Sequence, residues 1–217
     1  AGGEVLELRT DAEHILLGGG GDDAIAGSGE DILYGGAGDD AITAGDAFTG
    51  AIYGGAGDDA ITVGSGDAAL YGGAGDDAIT LGAGFTGTAY GGVGNDIFVL
   101  SSGADPALVD GGEGLDFLLG AQSLESAEDM LNSGTLTGMD VVVIGPSSGI
   151  TTVENLADYG ITVSDGNKVV LDESWTRAGD KIGTWEVQEN YDAYTTTTES
   201  GDLTLLVAKT ATETSTG

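Results

Sequence analysis

The nine residues Gly35-Gly-Ala-Gly-Asp-Asp-Ala-Ile-Thr43 return along this chain at a regular interval, and their repetition sets its architecture. The pattern recurs at residues 18–26, 54–62, 72–80 and 91–99, and a sixth, weaker copy occupies residues 111–119. Successive copies begin 17 to 20 residues apart, with a looser nonapeptide-like unit between them. Repetition at this period predicts a solenoid in which each coil has one strict half and one degenerate half.

Each strict copy joins a glycine-rich half to a short apolar half. Glycine at positions 1, 2 and 4 permits positive φ and close backbone contact, so positions 1–6 predict a tight turn. Positions 7–9 predict a brief strand whose middle side chain points inward. Stacked coils would then form one apolar column from Ile25, Ile42, Ile61, Ile79, Phe98 and Leu118. A facing column would contain Leu33, Ile52, Leu70 and Ala89. We therefore expect a thin but continuous core.

The composition restricts the classes of protein to which the chain can belong. Its 217 residues include 42 Gly, 2 Pro and no Cys, which is too much glycine for a helical bundle and too little proline for collagen. The formal net charge of −32 disfavours nucleic acid and anionic lipid as partners. With 40% hydrophobic residues the chain is not a disordered acidic tail, and no apolar run is long enough to span a membrane. The absence of cysteine is consistent either with a reducing compartment or with an export route that avoids disulfides.

Position 6 of every strict copy is an aspartate, and stacking would place these side chains in one column. They are Asp23, Asp40, Asp59, Asp77, Asp96 and Asp116. Carboxylates about 5 Å apart repel by roughly 1–3 kcal/mol per pair, so the column requires a hard cation between the turns. Ca²⁺ binds six to eight oxygens, and carboxylates and turn carbonyls supply only oxygen. No His or Cys is nearby, which argues against zinc, copper or iron.

The strict units resemble the RTX (repeat-in-toxin) calcium-binding nonapeptide, GGxGxDxUx with U a large aliphatic residue, over residues 18–119. The resemblance implies a mostly β fold, a right-handed parallel β-roll, with about four or five Ca²⁺ ions between successive turns. The implied ions lie between Asp23/Asp40, Asp40/Asp59, Asp59/Asp77, Asp77/Asp96 and Asp96/Asp116. The implied carbonyl ligands, together with their position-1 and position-3 neighbours, are those of Gly36, Gly38, Gly55, Gly57, Gly73, Gly75, Gly92 and Gly94.

The degenerate halves depart from this pattern. Their position 6 is Asp31 once but Ala68 and Thr86 later, while Asp46 and Asp67 lie out of register. We therefore expect one filled calcium ladder and one largely empty edge.

Tyr34, Tyr53, Tyr71 and Tyr90 occupy the last strand position of successive degenerate halves. Their spacing predicts a ladder of stacked rings that points away from the core. Such a ladder would stabilise the register of the coils. Alternatively it would form an adhesive face for self-association or glycan contact.

Residues outside the repeats predict mixed elements. We expect strands at 5–8 and 14–17, helices at 123–133 and 151–159, a strand at 140–144, a hairpin of 161–163 with 168–171, and strands at 185–187 and 203–208 flanking an acidic, threonine-rich stretch (194–202). The predicted organisation is an imperfect N-terminal coil (1–17), the β-roll (18–119), a small α+β C-terminal cap (120–210) and a disordered tail (211–217). The cap loosely resembles the C-terminal region of RTX adhesins exported by type I secretion, and it would close the open end of the roll.

No catalytic set is evident, so we do not expect an enzyme. Residues 145–149 match the GxSxG nucleophile motif, but no His follows Ser147 to act as its base. His14 is the single His of the chain, and we expect a structural or surface role for it. The segment that begins at Asp165 lacks the ligand spacing of an EF-hand, and the acidic turns exclude phosphate-binding loops.

Two functional interpretations remain. The first is a secreted, calcium-binding structural or adhesive module that folds on extracellular Ca²⁺ after type I secretion and assembles with copies of itself or with other surface and matrix proteins in a fibre, biofilm or S-layer-like array. The alternative is the C-terminal folding and secretion module of an exported enzyme or toxin whose catalytic domain lies upstream. Both interpretations predict calcium and the type I secretion apparatus as partners, and neither involves nucleic acid or a membrane span.

Overall fold

The computed structural model describes residues 3–7, 13–121, 124–144, 161–164, 168–171, 176–177, 191–198 and 201–208. The predicted helix at 151–159, the predicted strand at 185–187, the GxSxG segment at 145–149 and the expected tail at 211–217 lie outside these residues. Among the described residues, no helix is long and apolar enough to cross a membrane.

The repeats form a parallel β-solenoid of about six turns, built from two facing sheets. The seven-stranded sheet contains β2 (Ile15–Gly20), β4 (Ile32–Ala37), β6 (Ala51–Ala56), β8 (Ala69–Ala74), β10 (Thr88–Val93), β12 (Leu108–Glu113) and β14 (Leu136–Thr137). The solenoid strands of the eleven-stranded sheet are β1 (Val5–Glu7), β3 (Ala24–Gly27), β5 (Ala41–Ala44), β7 (Ala60–Val63), β9 (Ala78–Leu81), β11 (Ile97–Leu100), β13 (Phe117–Ala121) and β15 (Val141–Ile144). The expected mostly β, parallel roll is therefore confirmed, and so are the two expected N-terminal strands.

The core contains the two predicted apolar columns and a third that was not predicted, in which Ala44, Val63, Leu81 and Leu100 pair in register and are at most 4% exposed. Ile25, Ile42, Ile61, Ile79, Phe98 and Leu118 pair in register along the eleven-stranded sheet, and each side chain is at most 2% exposed. Leu33, Ile52, Leu70 and Ala89 pair in register in the facing sheet and are completely buried. Leu16, Val109 and Leu136 extend the second column at its two ends. The core is continuous because each coil adds one side chain to each column.

The two edges of the roll differ in length. On the strict edge every connection between the sheets has three residues: 21–23, 38–40, 57–59, 75–77, 94–96 and 114–116. On the degenerate edge the connections have four to seven residues: 28–31, 45–50, 64–68, 82–87 and 101–107. The variation in repeat length therefore lies entirely on the degenerate edge.

One register assignment on the degenerate edge is corrected. The residue before β10 that matches Asp31 is Gly87 and not Thr86, because Ile32 and Thr88 occupy the same column of the seven-stranded sheet. The longer connection at 82–87 shifts the register by one residue.

The eleven-stranded sheet changes character toward the C-terminal end of the roll. Strands β11 and β13 and residues 141–143 of β15 are buried on both faces, and the sequence changes accordingly from Ala-Ile-Thr repeats to Ile-Phe-Val, Phe-Leu-Leu and Val-Val-Val. After β15 the pairing becomes antiparallel, with β20 (Gly201–Ala208), β19 (Tyr191–Thr198) and β18 (Thr176–Arg177). Much of the threonine-rich stretch, expected between two strands, is itself strand β19.

The other described C-terminal elements agree with the sequence. Helix α1 (Leu124–Ser133) ends where Gly134 takes a φ of +78°, a conformation that terminates helices. The predicted hairpin is present as β16 (Ile161–Ser164) and β17 (Lys168–Leu171), which pair antiparallel.

Candidate metal sites

The strict edge places a buried aspartate at the end of every three-residue connection. Each connection reads Gly-x-Asp, and its Asp comes immediately before a strand of the eleven-stranded sheet. The six predicted carboxylates, Asp23, Asp40, Asp59, Asp77, Asp96 and Asp116, are only 0–3% exposed. Constant connection length and parallel pairing thus bring all six into the predicted column.

One oxygen of each carboxylate participates in a ladder of hydrogen bonds between turns. The N–H of Asp40 donates to Oδ1 of Asp59 over 2.8 Å, and the N–H of Asp59 donates to Oδ1 of Asp77 over 2.8 Å. The same bond recurs at the other rungs, with lengths of 2.7 to 2.9 Å. Each Asp is therefore held in one orientation by the backbone of the preceding turn.

The second carboxylate oxygen has no partner. Oδ2 of all six position-6 aspartates is buried and accepts no hydrogen bond. An unpaired buried charge costs several kcal/mol, so six in one column indicate that a positively charged ligand belongs there.

Each unpaired oxygen faces another acceptor. Near Gly54, a side-chain Cβ would overlap Oδ2 of Asp59 and lie 2.6 Å from the carbonyl oxygen of Gly72, the first glycine of the next turn. Gly35 has the same surroundings, with Asp40 and the carbonyl of Gly54. Two acceptors that flank one small space without a donor between them require either a proton on the carboxylate or a cation.

The electrostatics agree with this geometry. Burial raises the pKa of Asp59 to about 6, of Asp77 to about 8, of Asp96 to about 6 and of Asp116 to about 7. Burial also raises the pKa of Asp40. Neighbouring carboxylates add to the increase in each case, while the N–H donors of the ladder oppose it. Without a cation, the column is therefore ionised only in part at neutral pH.

Position 5 forms a second acidic column with different properties. Asp22, Asp39, Asp58 and Asp76 are exposed, and each accepts the position-5 N–H of the following turn over 2.8 to 3.1 Å, or 2.7 Å where the donor is Asn95. Asn95 does the same for the N–H of Leu115. An amide can therefore replace the carboxylate at position 5, whereas position 6 is Asp in every strict turn.

The eight glycines implied as ligands lie at the strict edge: four begin the three-residue connections, and the other four are the next-to-last residues of the strands before them. Gly36, Gly38, Gly55, Gly57, Gly73, Gly75, Gly92 and Gly94 have φ values between +122° and +139°. A side chain on Gly55 would be strained by its backbone and would also overlap the carbonyl of Gly36. In the first five strict turns, however, the carbonyl beside the unpaired Oδ2 belongs to the position-1 glycine of the next turn, which the pattern implied only as a neighbouring ligand.

The available ligands are oxygens of two kinds, carboxylate and carbonyl. Within the described part of the chain, no three side chains of His, Cys, Asp or Glu are grouped so as to hold a metal ion by themselves. A site on this edge must therefore combine carboxylates with turn carbonyls. That donor set fits Ca²⁺, which prefers oxygen and tolerates variable geometry.

Two features of the edges were missed at the sequence level. Asp140 follows Gly138 and Met139 directly before β15, and its Oδ2 accepts the N–H of Asp116 over 3.0 Å, so the ladder has a further rung. The motif Gly-x-Asp before an apolar strand would have identified it.

On the degenerate edge Phe48 and Phe85 are completely buried, in the recurring sequence Phe-Thr-Gly. In the part of the chain that the structure describes, this edge therefore buries aromatic rings and has no repeated buried carboxylate.

The first degenerate connection is the exception, since it carries a buried Asp31. Its two oxygens accept N–H groups from His14 and Ser28, each over 2.9 Å, and Nδ1 of His14 lies 3.1 Å from Oδ1. Burial alone would raise the pKa of Asp31, but these donors together hold it below its ordinary value. His14 thus has a structural contact on the first coil.

The predicted tyrosine ladder is present on the outer face of the seven-stranded sheet. The rings of Tyr34, Tyr53, Tyr71 and Tyr90 stack with centroids 4.7, 4.9 and 5.0 Å apart and interplanar angles of 9°, 2° and 5°. The interior rings are therefore covered by one another, which leaves mainly their edges exposed.

Comparison with known families identifies the class of this solenoid. Residues 17–47, 53–85 and 88–105 match the RTX calcium-binding nonapeptide repeat, in four copies. These residues thus form calcium-binding nonapeptide repeats of the RTX family. The roll is a structural, calcium-binding module rather than a catalytic one, and such modules are typical of type I-secreted extracellular proteins. No curated protein and no solved structure matched the chain.

Proposed function

We propose that this chain is a calcium-dependent folding module of a secreted protein, in which Ca²⁺ ions bind between successive strict turns. The observation that carries the proposal is the column of six buried, unpaired Oδ2 atoms. About four or five ions would lie between Asp23/Asp40, Asp40/Asp59, Asp59/Asp77, Asp77/Asp96 and Asp96/Asp116, and the turn carbonyls would complete each oxygen shell.

Calcium binding and folding are coupled because the roll has little else to stabilise it. Each coil buries only a few apolar side chains, such as Ile61, Val63 and Leu70 in one of them, and glycine-rich turns lose more backbone entropy on ordering than other turns. Without a cation, the roll must also accommodate buried carboxylates that repel each other. We therefore expect residues 18–119 to be unfolded without Ca²⁺ and to fold at roughly millimolar Ca²⁺, the range of extracellular modules.

This coupling suits export. A chain that is unfolded in a calcium-poor cytosol, and that has no Cys to form disulfides, passes through a secretion channel more easily than a folded one. Outside the cell, Ca²⁺ would then fold the roll. We propose on this basis that the protein is extracellular and a substrate of type I secretion.

A structural or adhesive role at the cell surface is the form of this function that we favour. Strand β2 is the last strand of its sheet in the described part of the chain, and Ile15 and Leu17 on its outer face are 64% and 60% exposed. Exposed apolar side chains on a sheet edge favour the addition of further strands. Self-association into a fibre or a surface array would use this end of the roll.

The alternative is a folding and secretion module of an exported enzyme or toxin. Sedimentation of the chain over a calcium titration distinguishes the two. Assembly that requires Ca²⁺ and that is abolished by Leu17→Lys would support the structural role. A monomer at all calcium concentrations would favour the alternative.

Calcium-dependent folding itself is tested by circular dichroism and amide hydrogen exchange, in EGTA and in calcium. We expect β-structure to appear cooperatively with calcium, and the turns at Asp59 and Asp77 to become protected from exchange. Protection of these turns in EGTA would show that calcium does not drive folding. Native mass spectrometry counts the ions, and fewer than three would contradict the turn-by-turn assignment.

A further inference from the structure

The column of unpaired carboxylate oxygens extends beyond the matched repeats. Residues matched to the RTX repeat end at 105, whereas Asp116 is completely buried and its Oδ2 has no partner. In the earlier turns, each such oxygen faces the next strict turn. Beyond Asp116 no glycine-rich nonapeptide follows, so the sequence pattern alone suggests no ligand on that side.

The structure supplies a shortened turn at this position. The connection from β14 to β15 consists of Gly138, Met139 and Asp140, which is again three residues that read Gly-x-Asp. Leu136 pairs with Val109 and Val141 with Phe117, so this connection continues the strict edge of the roll. It does so with fewer residues than the full turns: Thr137 pairs with Asp110, and only Gly138 and Met139 separate it from Asp140, whereas five residues separate Asp110 from Asp116.

The shortened turn reproduces the two contacts that characterise the earlier sites. Oδ2 of Asp140 accepts the N–H of Asp116 over 3.0 Å, as the position-6 carboxylates do in the full turns. The space beside Gly111 is flanked by Oδ2 of Asp116 and by the carbonyl of Gly138. In the full turns the same space is flanked by the position-6 Oδ2 and by the position-1 carbonyl of the next turn, as at Gly54 with Asp59 and Gly72.

We propose that Asp116, Asp140 and the carbonyl of Gly138 form an additional calcium site, which closes the ladder at the junction with the C-terminal strands. The inference rests on the proposed function, because it assumes that calcium binds the full turns. The carbonyls that positions 2 to 4 would supply are missing on one side, so water must complete the shell. This site should therefore bind Ca²⁺ more weakly than the others.

The site connects calcium to the change in sheet direction. Asp140 immediately precedes β15, which pairs parallel with β13 and antiparallel with β20. An ion at Asp140 would hold the start of β15 against the last full turn. Occupancy of this site should thus order the strand from which the antiparallel part of the sheet extends.

The test compares Asp140→Asn with Asp76→Asn in the full chain, with calcium chloride as the probe. Both substitutions remove one charge and keep an oxygen that can accept the same inter-turn N–H. Native mass spectrometry at saturating calcium should show one ion fewer for Asp140→Asn and no loss for Asp76→Asn. Circular dichroism and amide exchange at the Asp59 turn verify that both variants remain folded.

A second measurement requires no substitution. In a calcium titration of the wild-type chain, exchange protection of Val141–Val143 should rise at higher calcium than protection of the Asp59 turn. An unchanged ion count in Asp140→Asn, a general loss of ions, or protection of Val141–Val143 at the same calcium as the Asp59 turn would overturn the additional site. The calcium ladder of the full turns would remain established by the wild-type count, whereas a wild-type chain that binds no calcium would refute both proposals.

Discussion

Aspartate occupies both position 5 and position 6 of most strict turns, yet the two side chains have opposite roles. Asp58 is exposed and accepts an N–H from the following turn, whereas Asp59 is buried, accepts an N–H from the preceding turn and keeps one oxygen unpaired. Two chemically identical carboxylates that are adjacent in sequence therefore differ in their exposure to solvent. This contrast allows matched substitutions one residue apart.

Asp59→Asn should remove calcium from the sites on both sides of its turn, because the unpaired carboxylate is the charged ligand that those turns share. We expect a loss of two ions and an increase of at least about tenfold in the calcium midpoint of folding, which corresponds to roughly 1.4 kcal/mol. Asp58→Asn is the control, since Asn95 already serves at position 5 in this chain. Equal behaviour of the two variants in a calcium titration would show that position 6 has no special role.

Gly54→Ala tests the space beside the carboxylate without changing any charge. The added methyl group would overlap Oδ2 of Asp59 and approach the carbonyl of Gly72, so calcium affinity should fall by at least about tenfold. Gly45→Ala is the control, because nothing lies within 4 Å of a Cβ there and φ is not positive. That control should be neutral or stabilising by about 0.4–1 kcal/mol in calcium. A neutral effect of Gly54→Ala on isothermal calcium binding would contradict the proposed space.

Within each coil, the two edges of the roll fill their interior with different groups. The strict edge contains charged oxygens and calls for an ion, while the degenerate edge buries Phe48 and Phe85. An aromatic ring fills a turn without a ligand, and its surrounding loop can vary in length. The stability of one edge should therefore depend on calcium and that of the other should not.

Phe85→Ala should destabilise the calcium-loaded roll by about 3–5 kcal/mol, since it leaves a cavity in a completely buried position. The number of bound ions should stay the same, because the ring lies on the opposite edge. Urea denaturation in calcium and native mass spectrometry measure the two quantities. Thr86→Ala, at the exposed neighbouring position, removes only a long hydrogen bond of 3.4 Å to the carbonyl of Gly66, so it should destabilise the roll far less and leave the ion count unchanged.

The tyrosine ladder gives a prediction that depends on position within it. Tyr71 stacks on two rings and Tyr34 on one, and each stacked pair contributes about 0.5–1.5 kcal/mol. Tyr71→Ala should therefore destabilise the calcium-loaded roll more than Tyr34→Ala, by about the value of one pair. If denaturant midpoints in calcium fall equally for the two variants, ring stacking does not stabilise the ladder.

Across the whole molecule, charge dominates stability. The chain carries a formal net charge of −32, and its strict edge concentrates buried carboxylates whose pKa values are raised by burial. A raised pKa means that the folded, metal-free roll binds more protons than the unfolded chain. Its stability must therefore fall as pH rises through the window between the ordinary and the raised pKa values.

Lowering the pH from about 8 to about 4 in EDTA should accordingly stabilise the metal-free roll, since the pKa of Asp77 rises from 3.8 to about 8. Calcium affinity should decrease over the same range, because protons compete for the carboxylates. Circular dichroism and calcium titrations at several pH values measure both trends. Asp77→Asn should stabilise the metal-free roll at pH 8, since an amide removes the repulsion and can donate to the adjacent carbonyl. A metal-free roll that loses structure steadily on acidification would contradict this account.

The sequence was sufficient to predict the solenoid, its two core columns, the buried aspartate column and the tyrosine ladder. All four follow from the period of the repeat, because stacking at constant register places equivalent residues above one another. Because every strict turn has the same length, equivalent residues stay in register along that edge. The register predicted for Thr86 was wrong by one residue, because the degenerate connection changes length there.

Only the tertiary structure decided which neighbours meet across turns of unequal length. The pairing of β14 with β12 and of β15 with β13 brings Asp140 beneath Asp116, although no full repeat separates them. Burial likewise distinguishes Asp59 from Asp58, and it places Phe48 and Phe85 inside the edge that was expected to bind little calcium. A local pattern specifies what each coil contains. Contacts between coils depend on the path of the whole chain, and they determine which oxygens are buried without a partner and so are available to a cation.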